Sequence, residues 1–234
     1  MKHATLEALR GLRAAKTPIA LATHLASGAQ ALVGYETAEG DLHLDAGALD
    51  AVRQALRDDR GRTIETGQGA VFVNVYNPPR RLVVVGAVHI AQPLVPMAAI
   101  AGYQVVVIDP RHGFATDARF PQVTLDTDWP DEAMERVKPD VRTAVVTLTH
   151  DPKLDDPALA VALRSPAFYI GALGSRKTHA ARVARLKELG FGDNAIGRID
   201  APVGLDIGAV SPAEIAIAIL GKITQTLHAG PAAA

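Results

Sequence analysis

Apolar residues follow two regimes along this chain. From residue 81 onward they come in short unbroken runs rich in β-branched side chains: Leu82 to Val85, Gln104 to Ile108, Ala144 to Leu148 and Ala167 to Ile170. Runs of that length suit strands buried on both faces of a parallel sheet. Helical segments alternate with them: a short one from Pro157 to Leu163, one from Arg176 to Leu189 that Gly190 stops, and a last one after Ser211. In that last segment Ile215, Ile219 and Ile223 form an apolar stripe, Ser211-Pro212-Ala213-Glu214 spells a complete capping box, and Gly230-Pro231 is the expected stop. Before residue 77 the pattern differs. Leu6, Leu9 and Leu12 predict a helix over Thr5 to Ala15, and Ile19 to Thr23, Ala31 to Tyr35 and Leu42 to Leu44 are strand candidates. Asp45 can cap a helix running to about Leu56 and ending at Arg60-Gly61, and Val71 to Tyr76 alternates as a half-buried strand does. Asn77-Pro78-Pro79 separates the regimes. The pattern therefore predicts an α/β chain: a small α+β domain over residues 1–79, then a parallel sheet with helices on both faces over residues 80–234.

The segment from Arg81 to Asp109 runs strand, glycine turn, helix, strand, acid, which is the Rossmann-like pattern. Its G-x-G-x-x-G/A triplet reads Gly86, Val88 and Ala91. The second position is where a pyrophosphate comes closest to the backbone, and a β-branched Val88 obstructs that approach. The pattern supports the fold more than it supports bound NAD(P). Pro93 and Pro96 predict a short or bent helix after the turn.

Ligands of open parallel sheets sit beyond the carboxyl ends of the strands, so the polar residues there are the candidates. After the first strand come Gly86, Ala87, Val88 and His89; after the second, Asp109 and Arg111; after the third, His150 and Asp151. The fourth strand ends in Gly171 and leads to Gly174, Ser175, Arg176 and Lys177, where free N–H groups, a helix dipole and two cations make an anion site. Each has a plainer reading as well. Ser175 is a good N-cap, Asp109 and Asp151 stand before or within Pro-bounded turns, and His89 can simply pack. Asp206 lies in a glycine-rich loop that either covers the crevice or is only a loop. Glu214 is accounted for by its capping box.

Composition narrows the function classes. The 234 residues carry a formal charge of −1 and 48% apolar residues, which leaves no footprint for nucleic acid and no run long enough to span a membrane. The N-terminus shows no signal pattern, so a cytoplasmic home is expected. Cysteine is absent, which removes disulfides, thiolate metal ligands and persulfide carriage. No histidine and carboxylate cluster has metal-ligand spacing, and His3, His24, His43, His112, His179 and His228 read as surface residues.

Together these segments resemble the XdhC/CoxI family, accessory proteins of xanthine dehydrogenase and related molybdenum hydroxylases. The resemblance covers Arg81 to about Leu227. It rests on Val-Val-Gly-Ala-Val-His89, Val-Ile-Asp109-Pro-Arg111 with Phe114-Ala-Thr and Arg119-Phe-Pro121, and Thr149-His-Asp-Pro152 with Asp155. It rests further on Tyr169-Ile-Gly-Ala-Leu-Gly-Ser-Arg176, Pro202-Val-Gly-Leu-Asp-Ile-Gly-Ala209 and Pro212-Ala-Glu-Ile-Ala216. It implies a homodimeric protein with a Rossmann domain that binds molybdenum cofactor (molybdopterin), assists its sulfuration by a cysteine desulfurase, and delivers it to a molybdenum hydroxylase apoenzyme. It implies a maturation factor more than an enzyme with turnover. The N-terminal part is short and departs from the family: Ala26-Ser27-Gly28-Ala29 stands for the usual Gly-Ser-x-Pro-Arg, and Gly67-Gln68-Gly69 for Cys-Gly-Gly. Late in the chain, Gly221-Lys222 replaces a common Ala-Glu. The alternatives are an NAD(P)-dependent Rossmann oxidoreductase acting on a small molecule, and a scaffold that only docks a partner.

Overall fold

The computed structural model describes residues 2–229, so the helix stop expected at Gly230-Pro231 lies outside the described residues. Contacts divide the chain into two compact units, one ending at Pro78 and the other beginning at Pro79.

The first unit contains α1 (His3–Ala14), β1 (Ile19–His24), β2 (Gln30–Val33), β3 (Ala38–Gly40), α2 (Ala46–Asp58), β4 (Arg62–Thr66) and β5 (Gly69–Tyr76). Its strands form one antiparallel sheet in the order β3-β2-β1-β5-β4. Alternation along the strands supplies both faces. Ala20, Ala22, Val33, Val71 and Val73 pack on Val52, Ala55 and Leu56 of α2, while Ile19, Leu21 and Leu32 pack on Leu9 of α1. Leu42 to Leu44 is not the expected strand. The Asp41 carboxylate accepts the Gln30 N–H at 2.9 Å, the chain turns out of the sheet, and Leu42 fills the core from a loop. Asp45 then caps α2 by accepting the Ala48 N–H at 2.8 Å. The third strand lies earlier, at Ala38–Gly40, and β4, which the sequence pattern does not predict, forms a hairpin with β5.

The second unit contains β6 (Arg81–Val85), α3 (Ala91–Ile100), β7 (Gln104–Ile108), β8 (Thr124–Asp126), α4 (Pro130–Val137), β9 (Thr143–Thr147) and α5 (Pro152–Arg164). It continues with β10 (Tyr169–Ala172), α6 (Arg176–Glu188), α7 (Asp193–Ile196), β11 (Ile199–Asp200) and α8 (Pro212–His228). The six strands are parallel, in the order β11-β10-β9-β6-β7-β8. The four predicted apolar runs are its four central strands, buried on both faces. Leu82, Val84, Ala144 and Val146 face α3 and α8, and Val83, Val85 and Val145 face α4, α5 and α6. Helix α3 is short, at 10 residues, as its prolines predict; Pro93 falls in the first turn, where an N–H would lack a helical partner anyway. Helix α5 begins at Pro152 rather than Pro157, because Asp151 caps it. The capping box at Ser211 and Glu214 forms as predicted. No helix among the described residues is long and apolar enough to cross a membrane.

Candidate functional site

Strand order sets the place of the site. The chain runs from β6 outward to β7 and β8, then returns to β9 and runs outward to β10 and β11. The direction reverses between β6 and β9, so the turns after those two strands diverge and leave a crevice at the carboxyl edge. The two turns come together at Gly86. Gly86 has φ +111°, and a Cβ placed on it would meet Thr149 Cγ2 at 2.5 Å. The first glycine of the triplet is thus required by both backbone and space.

The rest of the β6–α3 turn is tied down from below. Ala87 is fully buried; its N–H donates to Asp109 Oδ2 at 2.8 Å and its carbonyl accepts from Arg119 Nη1 at 2.8 Å. Val88 is half-buried against the apolar layer under α3 and α8. His89 is exposed, in the turn before the helix rather than in its first turn.

Asp109 was a candidate for ligand contact, and the structure gives its carboxylate other work. It has no solvent exposure. Its two oxygens accept from Ala87 N–H, from Arg111 N–H at 3.0 Å, from Arg111 Nε at 2.8 Å and from Arg111 Nη2 at 2.7 Å. Four donors fill a carboxylate's acceptor positions. Burial pushes its pKa up, but the Arg111 guanidinium and the two backbone N–H groups outweigh burial and hold it below the usual carboxylate range. Arg111 in turn stacks over Phe114 at 4.4 Å, and Arg119 reaches the same ring from 5.7 Å.

In the β9–α5 turn His150 is exposed and left-handed, at φ +64°. Asp151 is the N-cap of α5, accepting the Lys153 N–H at 2.9 Å, which is the plainer of its two readings. In the β10–α6 turn Gly174 has φ +137°, and Ser175 caps α6 by accepting the Thr178 N–H at 3.1 Å. Arg176 and Lys177 are exposed on the first turn of α6. Gly171 lies inside β10, where a Cβ would meet Val203 Cγ2 at 2.5 Å and the Tyr169 hydroxyl at 2.9 Å; it admits close packing rather than facing a ligand.

A cavity of about 410 Å³ opens beside the β10–α6 turn, between Leu173 and Arg176, the loop from Pro202 to Ala209, and Ile215 and Ala218 of α8. Asp206 lines it from the loop, so this prediction and Arg176 converge on one space. The loop is anchored at Gly204, whose N–H donates to Asp200 Oδ2 at 3.0 Å, the same oxygen that accepts the Tyr169 hydroxyl at 2.6 Å. That bond and burial push the Tyr169 phenol far up, burial being the larger cause. Glu214 points elsewhere: its carboxylate accepts the N–H groups of Val210 and Ser211. No group of three metal-ligating side chains occurs among the described residues.

Sequence reasoning missed Thr149, Arg119 and Arg182 as parts of the site's framework. Thr149 and Arg119 both stand in motifs that carry the family resemblance, and so carried a signal; Arg182 is one basic residue in a basic helix and carried none. Two histidines read as surface residues are partly buried. His24 sits between the Ser27 hydroxyl at 2.6 Å and the Gln68 carbonyl at 2.9 Å. His179 is half-buried with its Nδ1 unpartnered.

Residues 82–223 match the family model described as the XdhC Rossmann domain. Among curated proteins, the chain is 32% identical over 167 residues to an uncharacterized protein YqeB of Escherichia coli K12, covering 70% of this chain and 30% of that protein. It is 32% identical over 157 residues to a probable xanthine dehydrogenase subunit of Bacillus subtilis, covering 67% and 46%. It is 31% identical over 154 residues to the molybdenum cofactor insertion chaperone PaoD of Escherichia coli K12, covering 65% and 42%. The chain spans less than half the length of each of these relatives. A solved structure named as a xanthine dehydrogenase from Bacillus halodurans superposes with a TM-score of 0.73 at 25% identity, over 97% of this chain and 67% of that one.

Proposed function

The chain belongs to the XdhC family, and from that premise we propose that it is an accessory protein of molybdenum hydroxylases that holds molybdenum cofactor at the carboxyl edge of its parallel sheet. The observation that carries the reading is the convergence of a capped helix start, Arg176 and the Pro202 to Ala209 loop on one cavity. The cofactor is cargo here: a polar pterin carrying a phosphate. A helix N-terminus with an adjacent guanidinium suits the phosphate. Asp206 from the cavity lining, and His89, His150 and backbone groups of the neighbouring turns, supply donors and acceptors for the pterin, with Asp109 and Arg111 holding the Gly86 turn in place.

This chain has no cysteine, and sulfuration needs a persulfide. The sulfur therefore comes from a cysteine desulfurase, and this protein holds, shields and presents the cofactor to a molybdenum hydroxylase apoenzyme, as a homodimer in the family manner.

The test mixes purified protein with molybdenum cofactor under anaerobic conditions and measures molybdenum retained after gel filtration. Stoichiometric retention is expected. Arg176→Ala removes one charge-assisted contact worth about 1.5–3 kcal/mol, a loss of roughly tenfold to a hundredfold in affinity. No retention, alone or with the client apoenzyme, refutes the reading.

A further inference from the structure

Asp155 and Arg182 lie beneath the crevice with side chains only 2% exposed. Asp155 governs the β9–α5 turn. Its Oδ1 accepts the Thr149 hydroxyl at 2.6 Å and the Thr149 N–H at 3.4 Å, and its Oδ2 accepts the His150 N–H at 3.1 Å. Those bonds hold His150 in the left-handed region, which side-chain-bearing residues rarely occupy, and fix the Thr149 methyl against Gly86. Arg182 governs the other turn. Its Nη2 donates to the Leu173 carbonyl at 2.9 Å, just before Gly174-Ser175-Arg176. The guanidinium is also 3.6 Å from Asp155 Oδ2.

The pair is poorly explained as a stabilising contact. Arg182 Nε and Nη1 are buried without a partner, and unmade hydrogen bonds of a buried charge are costly. Burial pushes Asp155 up and Arg182 down, against their mutual attraction. What the pair does accomplish is geometric. It joins the turn bearing His150 to the turn bearing Arg176, and through Thr149 it reaches the turn at Gly86.

We infer that Asp155 and Arg182 are positioning residues of the ligand site: their buried pair locks the β9–α5 and β10–α6 turns into one arrangement, so that contacts on the His150 side and the Arg176 side act as a unit. The coupling of ligand contacts rests on the cofactor-holding reading; the coupling of the turns does not.

Asp155→Asn combined with Arg182→Met removes both charges together and leaves no lone buried ion. In ligand-free protein, Arg182→Met alone, which leaves the hydrogen bonds of Asp155 to Thr149 and His150 in place, should accelerate amide hydrogen exchange at Thr149 and His150 as well as at Gly174 to Arg176, and the double variant should do the same, with β6 and β9 unchanged. Acceleration in one turn only, or spread through β6 and β9, overturns the inference. Thr149→Val, which keeps the shape against Gly86, is a further variant; it should raise exchange in both turns to a smaller extent, and a rise confined to its own turn counts against the pair. The ligand arm uses molybdenum cofactor released from a molybdoenzyme, with His150→Ala and Arg176→Ala made singly and together. In the otherwise unaltered protein the combined loss should fall short of the product of the single losses. In the Asp155→Asn, Arg182→Met background the losses should multiply, and retention itself should weaken by about tenfold to a hundredfold, the usual effect of disturbing residues that orient a site. Losses that multiply in both backgrounds overturn the inference. Absence of any retention by the unaltered protein sinks the cofactor reading instead, and the exchange arm still decides the positioning role.

Discussion

Gly86→Ala tests the geometry of the crevice at its narrowest point. The substitution has two separable costs. At φ +111° an alanine sits in a region that side-chain-bearing residues rarely adopt, which costs about 1–3 kcal/mol. Its Cβ would also lie 2.5 Å from Thr149 Cγ2, and crowding of that kind in a packed interior costs about 1–3 kcal/mol. The total is roughly 2–6 kcal/mol. Thr149→Ser deletes the offending methyl while keeping the hydroxyl that donates to Asp155 at 2.6 Å, so alone it should cost about 0.8 kcal/mol. In the double variant the crowding vanishes and the backbone cost stays, giving a favourable interaction of about 1–3 kcal/mol relative to additivity. Urea unfolding followed by the fluorescence of Trp129, the sole tryptophan of the chain and the N-cap of α4 in the same unit, reads the quantity directly. Gly86→Ala within about 0.5 kcal/mol of the unaltered protein, a shift typical of an ordinary surface site, would refute the backbone argument. Additivity of the two substitutions would refute the contact.

Asp109→Asn should destabilise the protein at pH 7, because an amide presents a donor to the N–H groups of Ala87 and Arg111. The sign with pH follows from the depressed carboxyl: its contribution is full above the unfolded value of about 3.9 and fades as pH falls below it, so the gap between the two proteins in unfolding experiments should close under acid. A gap that stays constant from pH 7 to pH 3 contradicts the assignment. Arg182→Met alone leaves Asp155 a buried charge without its cation and should cost about 3–5 kcal/mol, whereas adding Asp155→Asn removes that charge and should return part of the loss, the remainder being a turn N–H that the amide no longer accepts; a double variant less stable than the single one argues against a pair that is costly to bury. Calorimetry should detect no micromolar binding of NAD or NADP, since a β-branched residue at the second triplet position is expected to obstruct the pyrophosphate and the Asp109 carboxylate is already occupied by Arg111. Val88→Gly should strengthen whatever dinucleotide binding exists, and micromolar affinity in the unaltered protein would restore the oxidoreductase reading.

The central strands were legible because burial on both faces forces an unbroken apolar run, and β6, β7, β9 and β10 have one. The edges were not. Strands β8 and β11 have three and two residues, too few for any period to register, and α4 draws only Pro130, Ala133 and Met134 fully into the core. Leu42 to Leu44 misled for the opposite reason: two leucines at strand spacing also suit a loop that leaves the sheet and plugs the core once Asp41 has turned it. Periodicity reports which side chains need burial, and it does not report whether the backbone between them pairs.

The candidate site divides along a similar line. Position at a strand's carboxyl end marked Asp109, His150 and Ser175 alike, yet position cannot tell a side chain that faces outward from one that faces the turn beside it. Acids recur in the second role here. Asp109 holds Ala87, Asp155 holds Thr149 and His150, and Asp200 holds Gly204. Each accepts backbone N–H groups of a turn or loop at the carboxyl edge of the sheet, where the chain has left the ladder and its donors would otherwise lack partners. A carboxylate is well suited to that task because it offers several acceptor positions and bonds more strongly than a neutral group. With these three acids committed inward, the edge that remains for a ligand is made of backbone, histidine, the Asp206 carboxylate and the cations of α6, so what such an edge offers is hydrogen bonding of both signs, with the positive charge gathered at the start of α6.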